Sequence, residues 1–230
     1  MIHRPVSVRL SFALGLVLSV TVAWPAAADP DEKSVNALQP GAWALQFGID
    51  DNFQLDSFEG SMISLKHHTS AGSAWRLGVS THVSSNDRDE SRHYVSPDTT
   101  FTDSDNTDLL GLFVGLTRIH YPHPGERVSA YYGAGPWVSI FNADNSRTNG
   151  TDESHQENSS WAAGAGFVFG GEWFAARSLG IHAEYRASIG YEKRRDTNTP
   201  PPSAGVSYTL ENESWSVRSN GVQFGASWYF

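Results

Sequence analysis

The sequence predicts an all-β chain folded as an eight-stranded antiparallel up-and-down transmembrane β-barrel. Three observations predict it: how the chain ends, the alternating segments repeated along it, and the unequal lengths of the links between them. The last ten residues place Val222, Phe224, Ala226, Trp228 and Phe230 on one face of an extended strand. Gln223, Gly225, Ser227 and Tyr229 fall on the other, because successive side chains of a strand point to opposite sides. Such a strand needs a neighbour for its backbone and an apolar medium for its outer face. A closed barrel in a membrane provides both.

Residues 1–28 read as a secretory signal peptide. Arg4 and Arg9 form a positive start, residues 10–22 a short apolar core, and Ala26, Ala27 and Ala28 a small-residue cleavage site before Asp29. The apolar core is short of the roughly 20 residues of a spanning helix. Cleavage is expected near Ala28, with a retained N-terminal anchor as the alternative. Residues 29–40 are polar and read as a periplasmic lead-in, and 41–230 as the outer-membrane barrel domain. Removing Arg4 and Arg9 from the 16 Lys+Arg leaves 14 against 25 Asp+Glu, a formal charge of −11. That balance excludes a nucleic-acid partner, which requires a basic surface. The absence of cysteine excludes a disulfide framework and a thiol catalyst.

Eight alternating segments follow, at 43–51, 57–67, 74–84, 108–119, 127–141, 160–174, 179–193 and 215–230. Most reach the roughly 9–11 residues that cross a bilayer at a tilt. The links 68–73, 120–126 and 175–178 are short, whereas 85–107, 142–159 and 194–214 are long and polar; only one outer link, 52–56, is short. Short periplasmic turns alternating with longer extracellular loops are the expected asymmetry of a bacterial barrel. An even strand count places both termini in the periplasm. Of the eight tryptophans, Trp24 lies in the leader, and six of the others fall at segment ends. Trp43, Trp75, Trp173 and Trp228 fall at periplasmic ends, Trp161 and Trp215 at outer ends. Indole favours the membrane–water boundary, where its ring stays apolar and its N–H wet.

The faces give the direction of burial. Segment 179–193 puts Ile181, Ala183, Tyr185, Ala187, Ile189 and Tyr191 opposite His182, Glu184, Arg186, Ser188, Gly190 and Glu192. Segment 160–174 sets Trp161, Phe167, Phe169 and Trp173 opposite Gly164, Gly166, Gly170 and Glu172; segment 74–84 sets Trp75, Leu77, Val79 and Val83 opposite Arg76, Gly78, Ser80 and His82. Alternation alone also fits a soluble barrel turned the other way round. The glycines place the polar face inside, since a crowded lumen requires them and a solvated face does not. Segment 57–67 leaves two registers open, with either Phe58, Gly60 and Met62 or Ser61, Ile63 and Leu65 toward lipid. Pro136 demands a bulge or a missing bond in its strand.

The stretches Tyr131-Tyr132-Gly133-Ala134-Gly135, Gly170-Gly171-Glu172-Trp173-Phe174 followed by 179–185, and Ser227-Trp228-Tyr229-Phe230 resemble the small eight-stranded outer-membrane barrels, the family of OmpX/Ail-type proteins and the OmpA transmembrane domain. The ending Phe224, Trp228, Phe230 resembles the assembly signal of Gram-negative barrels. The resemblance implies outer-membrane lipids, lipopolysaccharide and the barrel assembly machinery as partners, and a monomer. It speaks for architecture and not for an activity.

Gln46, Arg76, His82, Glu172, Glu184 and Arg186, with Glu59 a further candidate, form the densest set of polar and ionisable groups on the inward face. Eight strands enclose an interior just wide enough for side chains to fill, and buried charges there require partners. The set reads as a paired plug with Glu184 and Arg186 at its centre, and secondly as a narrow path for ions or small solutes. Lipid-A-modifying enzymes share this architecture and require a Ser-His-acid set near the outer leaflet. Here only His82 and Ser84 approach that pattern, on the luminal face with no acid at matching spacing, so no catalytic residue is assigned. His67, His68, His120 and His123 fall in turns, where histidines are ordinarily solvated; they match no ligand spacing, and no metal or cofactor is expected. Glycines 164, 166 and 170 lie within a strand with no helix after them, which excludes a phosphate loop. Asn149, Asn158 and Asn212 match glycosylation acceptors by chance. The long acidic links read as solvated mobile loops or as the site of a surface ligand, including divalent cations that bridge to lipopolysaccharide.

The expected function is therefore an integral outer-membrane barrel with a filled lumen, acting structurally or through its acidic extracellular loops. A folded barrel resists detergent, so the unboiled protein should migrate differently on a gel from the boiled one. Identical migration would count against the architecture.

Overall fold

The computed structural model describes residues 36–49, 62–95, 98–149, 152–201 and 205–230, within the compact unit Asp31–Phe230. The leader, residues 29–35 of the lead-in, the link 52–56 and Glu59 lie outside the described residues. The strands are β1 Trp43–Ile49, β2 Met62–Ser70, β3 Ser73–Val95, β4 Asp98–His120, β5 Val128–Asn149, β6 Asp152–Ala176, β7 Leu179–Thr199 and β8 Tyr208–Tyr229. Each pairs antiparallel with the next, and β8 returns to β1 to close an eight-stranded barrel. The neighbour that the terminal strand requires is therefore the first strand. Phe230 N donates to Trp43 O at 2.9 Å, and Trp43 N donates to Phe230 O at 3.2 Å.

The outward face is apolar and uncovered by protein: Phe169 is 65% exposed, and Ile63, Leu77, Val138, Phe167 and Val222 are exposed as well. A water-soluble protein does not leave a continuous belt of this kind in solvent. That disposes of the inverted soluble barrel, and the belt faces lipid. Trp43, Trp75, Trp173 and Trp228 edge it at the end that holds the C-terminus, and Trp161 and Trp215 edge it at the other. At the inner edge Trp43 lies 4.3 Å from the His67 ring, and the Arg118 guanidinium sits 5.9 Å from the Trp75 ring. At the outer edge Tyr191 bridges Trp161 and Trp215, with ring centroids 5.7 Å from each.

Three features of register were open or unforeseen in the sequence. In β2, Ile63 faces outward, whereas Ser64 and Lys66 are buried inside. Between β4 and β5 the pairing stops after Gly115–Trp137 and resumes at Arg118–Ala134 in the same register. Pro136 thus leaves a gap in the ladder, because it has no N–H to give, and forms no bulge. In β8 the register against β7 shifts by one residue between Tyr185–Val222 and Arg186–Asn220. This bulge at Gly221 reverses the alternation, which is how odd-numbered Trp215 and even-numbered Trp228 both face outward.

The links expected as long loops are largely strand. β3 and β4 run 23 residues each and pair rung by rung to Val95–Asp98. β5 and β6 pair to Asn149–Asp152, and β7 and β8 to Asn198–Tyr208. The segments 85–107, 142–159 and most of 194–214 are therefore hairpin extensions and not solvated loops. Above the membrane both faces of a strand meet water, so nothing selects alternating hydrophobicity and the strand signal vanishes from the sequence.

Glycine accommodates the close approach of strands at the ladder gap. A Cβ on Gly135 would collide with the Leu116 carbonyl of β4, whereas one on Gly171 would meet nothing within 4 Å. Gly135→Ala should destabilise the barrel by several kcal/mol or prevent assembly, as overpacking against rigid backbone does. Gly171→Ala should stay within about 0.5 kcal/mol of wild type. Urea unfolding in lipid vesicles, followed by tryptophan emission, measures both.

Candidate functional site

The lumen is built in layers. Its periplasmic end is closed by an apolar cork of Leu38, Ala44, Ile119, Tyr121, Tyr131, Phe174 and Tyr229. The end of the lead-in belongs to this cork. Leu38 is buried in it, and Asn36 Nδ2 donates to the carbonyls of Pro124 and Glu126 at 2.6 and 2.8 Å, tying the segment across a periplasmic turn. His68 is fully buried between the rings of Tyr121 and Tyr229, at 5.5 and 5.9 Å. Its expected place in a solvated turn is thus corrected. β2 continues past it to Ser70, and its inward position carries the ring into the cork.

Against the cork lies the first ionic layer. Lys66 of β2 reaches Glu172 of β6, with Nζ donating to Oε2 at 2.9 Å and both side chains 0% exposed. Nζ also donates to the hydroxyls of Tyr121 and Tyr229 at 2.8 and 2.6 Å. Both hydroxyls donate onward to the same Glu172 oxygen at 3.0 and 2.9 Å. An ammonium has three donors, and here all three are engaged. Beside this layer Gln46 Nε2 donates to Ser227 Oγ at 2.8 Å, and that oxygen lies 3.2 Å from His182 Nδ1.

The second ionic layer centres on Glu184 of β7. Its Oε2 accepts from Arg76 Nη1 of β3 at 2.7 Å and from the Tyr131 hydroxyl of β5 at 3.0 Å. Its Oε1 accepts from Arg186 Nε on the same strand. Glu184 is thus shared between two guanidiniums. Arg186 Nη1 points at Met62 Sδ, 3.0 Å away.

Above the arginines the lumen opens. A cavity of about 280 Å³ lies over Arg76 and Arg186, walled by Phe113 and Trp137. A second, of about 350 Å³, continues toward the outer mouth past His82, Arg194 and Arg218. The filling expected throughout the lumen is therefore confined to its periplasmic half. Inward glycines on four strands (Gly78, Gly115, Gly135 and Gly166) leave the space.

Of the residues singled out from sequence, Gln46, Arg76, Glu172, Glu184 and Arg186 lie in the two layers. His82 lines the upper cavity, apart from them. Lys66 was missed because the register of its strand was open; once Ile63 faces lipid, Lys66 must face the lumen. Tyr131 and Tyr229 were missed because a phenol suits either face of a barrel strand, and Tyr121 because it lies just beyond β4 in a periplasmic link with no alternation to read. Among the described residues, the group of histidine and carboxylates that could hold a metal is not in the periplasmic turns. It is Asp144, His155 and Glu157 on the β5–β6 hairpin, with ligand atoms within 4.8 Å of one another. His155 meets Asp144 through Nδ1 at 3.3 Å and Glu157 through Nε2 at 3.1 Å.

A closed antiparallel ring with charged side chains inside and an aromatic-edged apolar belt outside is the architecture of an outer-membrane β-barrel protein. No protein-family model matches the sequence, and no curated protein is significantly similar to it. Solved structures similar to this one include a major outer membrane protein from Thermus thermophilus, 14% identical, covering 84% of this chain and 100% of that one with a TM-score of 0.46. The outer membrane protein OprG from Pseudomonas aeruginosa is 13% identical, with coverage of 84% and 97% and a TM-score of 0.49. Ail, the attachment invasion locus protein of Yersinia pestis, is 11% identical, with coverage of 84% and 100% and a TM-score of 0.37. The likeness is to small outer-membrane barrels, at low identity.

Removing one partner of a fully buried ion pair strands the other, at about 3–5 kcal/mol. Glu172→Gln should destabilise the barrel by that order. The double variant Lys66→Met/Glu172→Leu should recover much of the loss, since it leaves no buried charge in that layer. Urea midpoints in lipid vesicles give the comparison.

Proposed function

We propose that this protein is a non-enzymatic display barrel, a plugged membrane anchor that holds rigid acidic hairpins outside the cell for contact with a basic surface. The reach of the strands carries the reading. β3 to β8 run 21 to 25 residues, about twice what a bilayer crossing needs. At roughly 3.3 Å per residue and a tilt of about 40°, such strands rise some 55 Å along the barrel axis, against an apolar band about 25 Å tall. Anchoring alone does not require the difference.

The hairpins are paired ribbons carrying charge. The sequence of β3 and β4 sets Asp87, Asp89, Glu90, Asp103, Asp105 and Asp108 against Arg88 and Arg92. The β7–β8 ribbon is mixed and zipped by cross-strand pairs. Arg195 meets Glu211 at 2.5 Å and Lys193 meets Glu213 at 3.2 Å. The hydrogen bond from Arg195 holds the Glu211 carboxyl below its ordinary range. These exposed pairs are screened by salt and add little individually. They shape a surface more than they stabilise a fold.

The other readings find less support. A channel needs a path past Lys66 and Glu172, both fully buried under the cork. A serine hydrolase needs a nucleophile that its substrate can reach. Ser227 beside His182 is the one serine–histidine contact in the lumen among the described residues, and it is 0% exposed.

The test pairs two measurements on refolded protein. In planar bilayers the wild type should show no discrete conductance. Proteoliposomes should bind polylysine-coated beads in a salt-sensitive manner and ignore heparin-coated ones. Replacing residues 86–107 by a two-residue turn should lower that binding several-fold while heat modifiability is retained. Conductance steps in the wild type, or bead binding indifferent to the shortened hairpin, would overturn the proposal.

A further inference from the structure

The two ionic layers do not balance. Among the described residues they hold three cations (Lys66, Arg76 and Arg186) against two carboxylates, Glu172 and Glu184. Glu172 is committed to Lys66 and two tyrosines, and Glu184 is divided between two arginines and a third tyrosine. The surplus falls on Arg186. Its remaining donors face Met62 Sδ, a weak acceptor, and the cavity above. A guanidinium that shares its one carboxylate with a second guanidinium is only partly compensated in a narrow lumen, and an anion drawn in beside it relieves that.

The cavity over Arg186 suits such an anion. Its floor is Arg76 and Arg186, which share Glu184 beneath them, and Arg218, paired with Glu192 at 2.7 Å, stands at its upper side; among the described residues no carboxylate is part of the cavity wall itself. Its wall is aromatic, with Phe113 and Trp137 stacked at 5.9 Å between ring centroids and 25° between planes. Trp137 Nε1 is buried with no hydrogen-bond partner among the described residues, so a donor stands beside the floor arginines. Lack of a Cβ at Gly190 keeps this ring in place, since one there would meet the indole at 2.5 Å. About 280 Å³ at roughly 30 Å³ per water volume accommodates a molecule of about ten non-hydrogen atoms. The upper cavity shares Ser80, Phe113, Ser139 and Arg218 with it and leads toward the outer mouth, while the cork closes the other end.

We infer that the outer half of the lumen is a binding cup for a small organic monocarboxylate with an apolar or aromatic body, its carboxylate on Arg186 and its body against Trp137 and Phe113. A guanidinium presents paired N–H groups that match a carboxylate, and bonds of this charge-assisted kind are stronger than neutral ones. Along the way Arg218 pairs with Glu192 at 2.7 Å and Arg194 with Asp196 at 2.9 Å, so the attraction for an anion comes from the floor arginines and not from the entrance. The cup is a dead end, so the inference concerns capture and not passage. It is independent of the hairpins' role.

Isothermal titration of the full refolded protein in detergent tests it, with benzoate as the probe and benzamide as its neutral isostere. Benzoate should bind saturably at one site and benzamide at least tenfold more weakly. Arg186→Gln should weaken benzoate at least tenfold and keep heat modifiability, because Arg76 still pairs with Glu184. Ser188→Leu, which fills the cup without changing any charge, should abolish binding. No benzoate binding to the folded wild type would overturn the inference. So would equal binding of benzamide, or benzoate binding unchanged in both variants, which would place the probe in the detergent or on the outer face.

Discussion

Closure of the backbone ladder is the constraint on which the rest of this structure depends. In the hydrocarbon of a bilayer no water satisfies a free N–H or C=O, so each strand must be paired on both sides. The pairing of Trp43 with Phe230 completes that condition with the last residue of the chain. Eight strands closed in this way enclose a narrow interior. Narrowness explains Gly133 and Gly135 of β5 and Gly164 and Gly170 of β6, where neighbouring backbone or an aromatic ring occupies the place of a side chain. It also makes the gap at Pro136 tolerable, because the register holds on both sides of it.

A narrow interior with charged walls must order its charges. The periplasmic half does so by sharing: three tyrosines and two carboxylates satisfy an ammonium and part of two guanidiniums within a closely packed space. A cork of aromatic rings and the docked lead-in seal that half. Removal of water strengthens each contact in the layers and makes each of them expensive to break. The outer half follows a different rule, with glycines in place of side chains above two floor arginines that share a single acid, and it stays open.

Outside the membrane the constraint is released and the barrel keeps its strands regardless. The hairpins carry Asp, Ser, Thr and Asn where the belt carries Phe, Leu and Trp, yet the ladders run on with unbroken register. Pairing begun in lipid propagates into water, because each added rung needs only its predecessor to be aligned. The extensions therefore inherit the curvature and tilt of the barrel beneath them.

Strand number, the sidedness of most strands, the placing of Trp161, Trp215 and the four periplasmic tryptophans, and the even topology were legible in the sequence by itself. Lipid on one side and a crowded lumen on the other impose a period of two, and the glycines of the polar face say which side is the lumen. What the sequence could not carry were relations across the lumen and beyond the membrane. Lys66 meets Glu172, and Arg76 shares Glu184 with Arg186, only once the register of β2 and the stagger of the closed ring are set. The bulge at Gly221 decides that Trp215 joins Trp228 on the outer face. The long hairpins were hidden because a strand wetted on both faces has no alternation to read. Local alternation reports the solvent on each side of a strand, whereas partners, cavities and reach depend on contacts between residues far apart in the chain, and only the closed barrel brings those together.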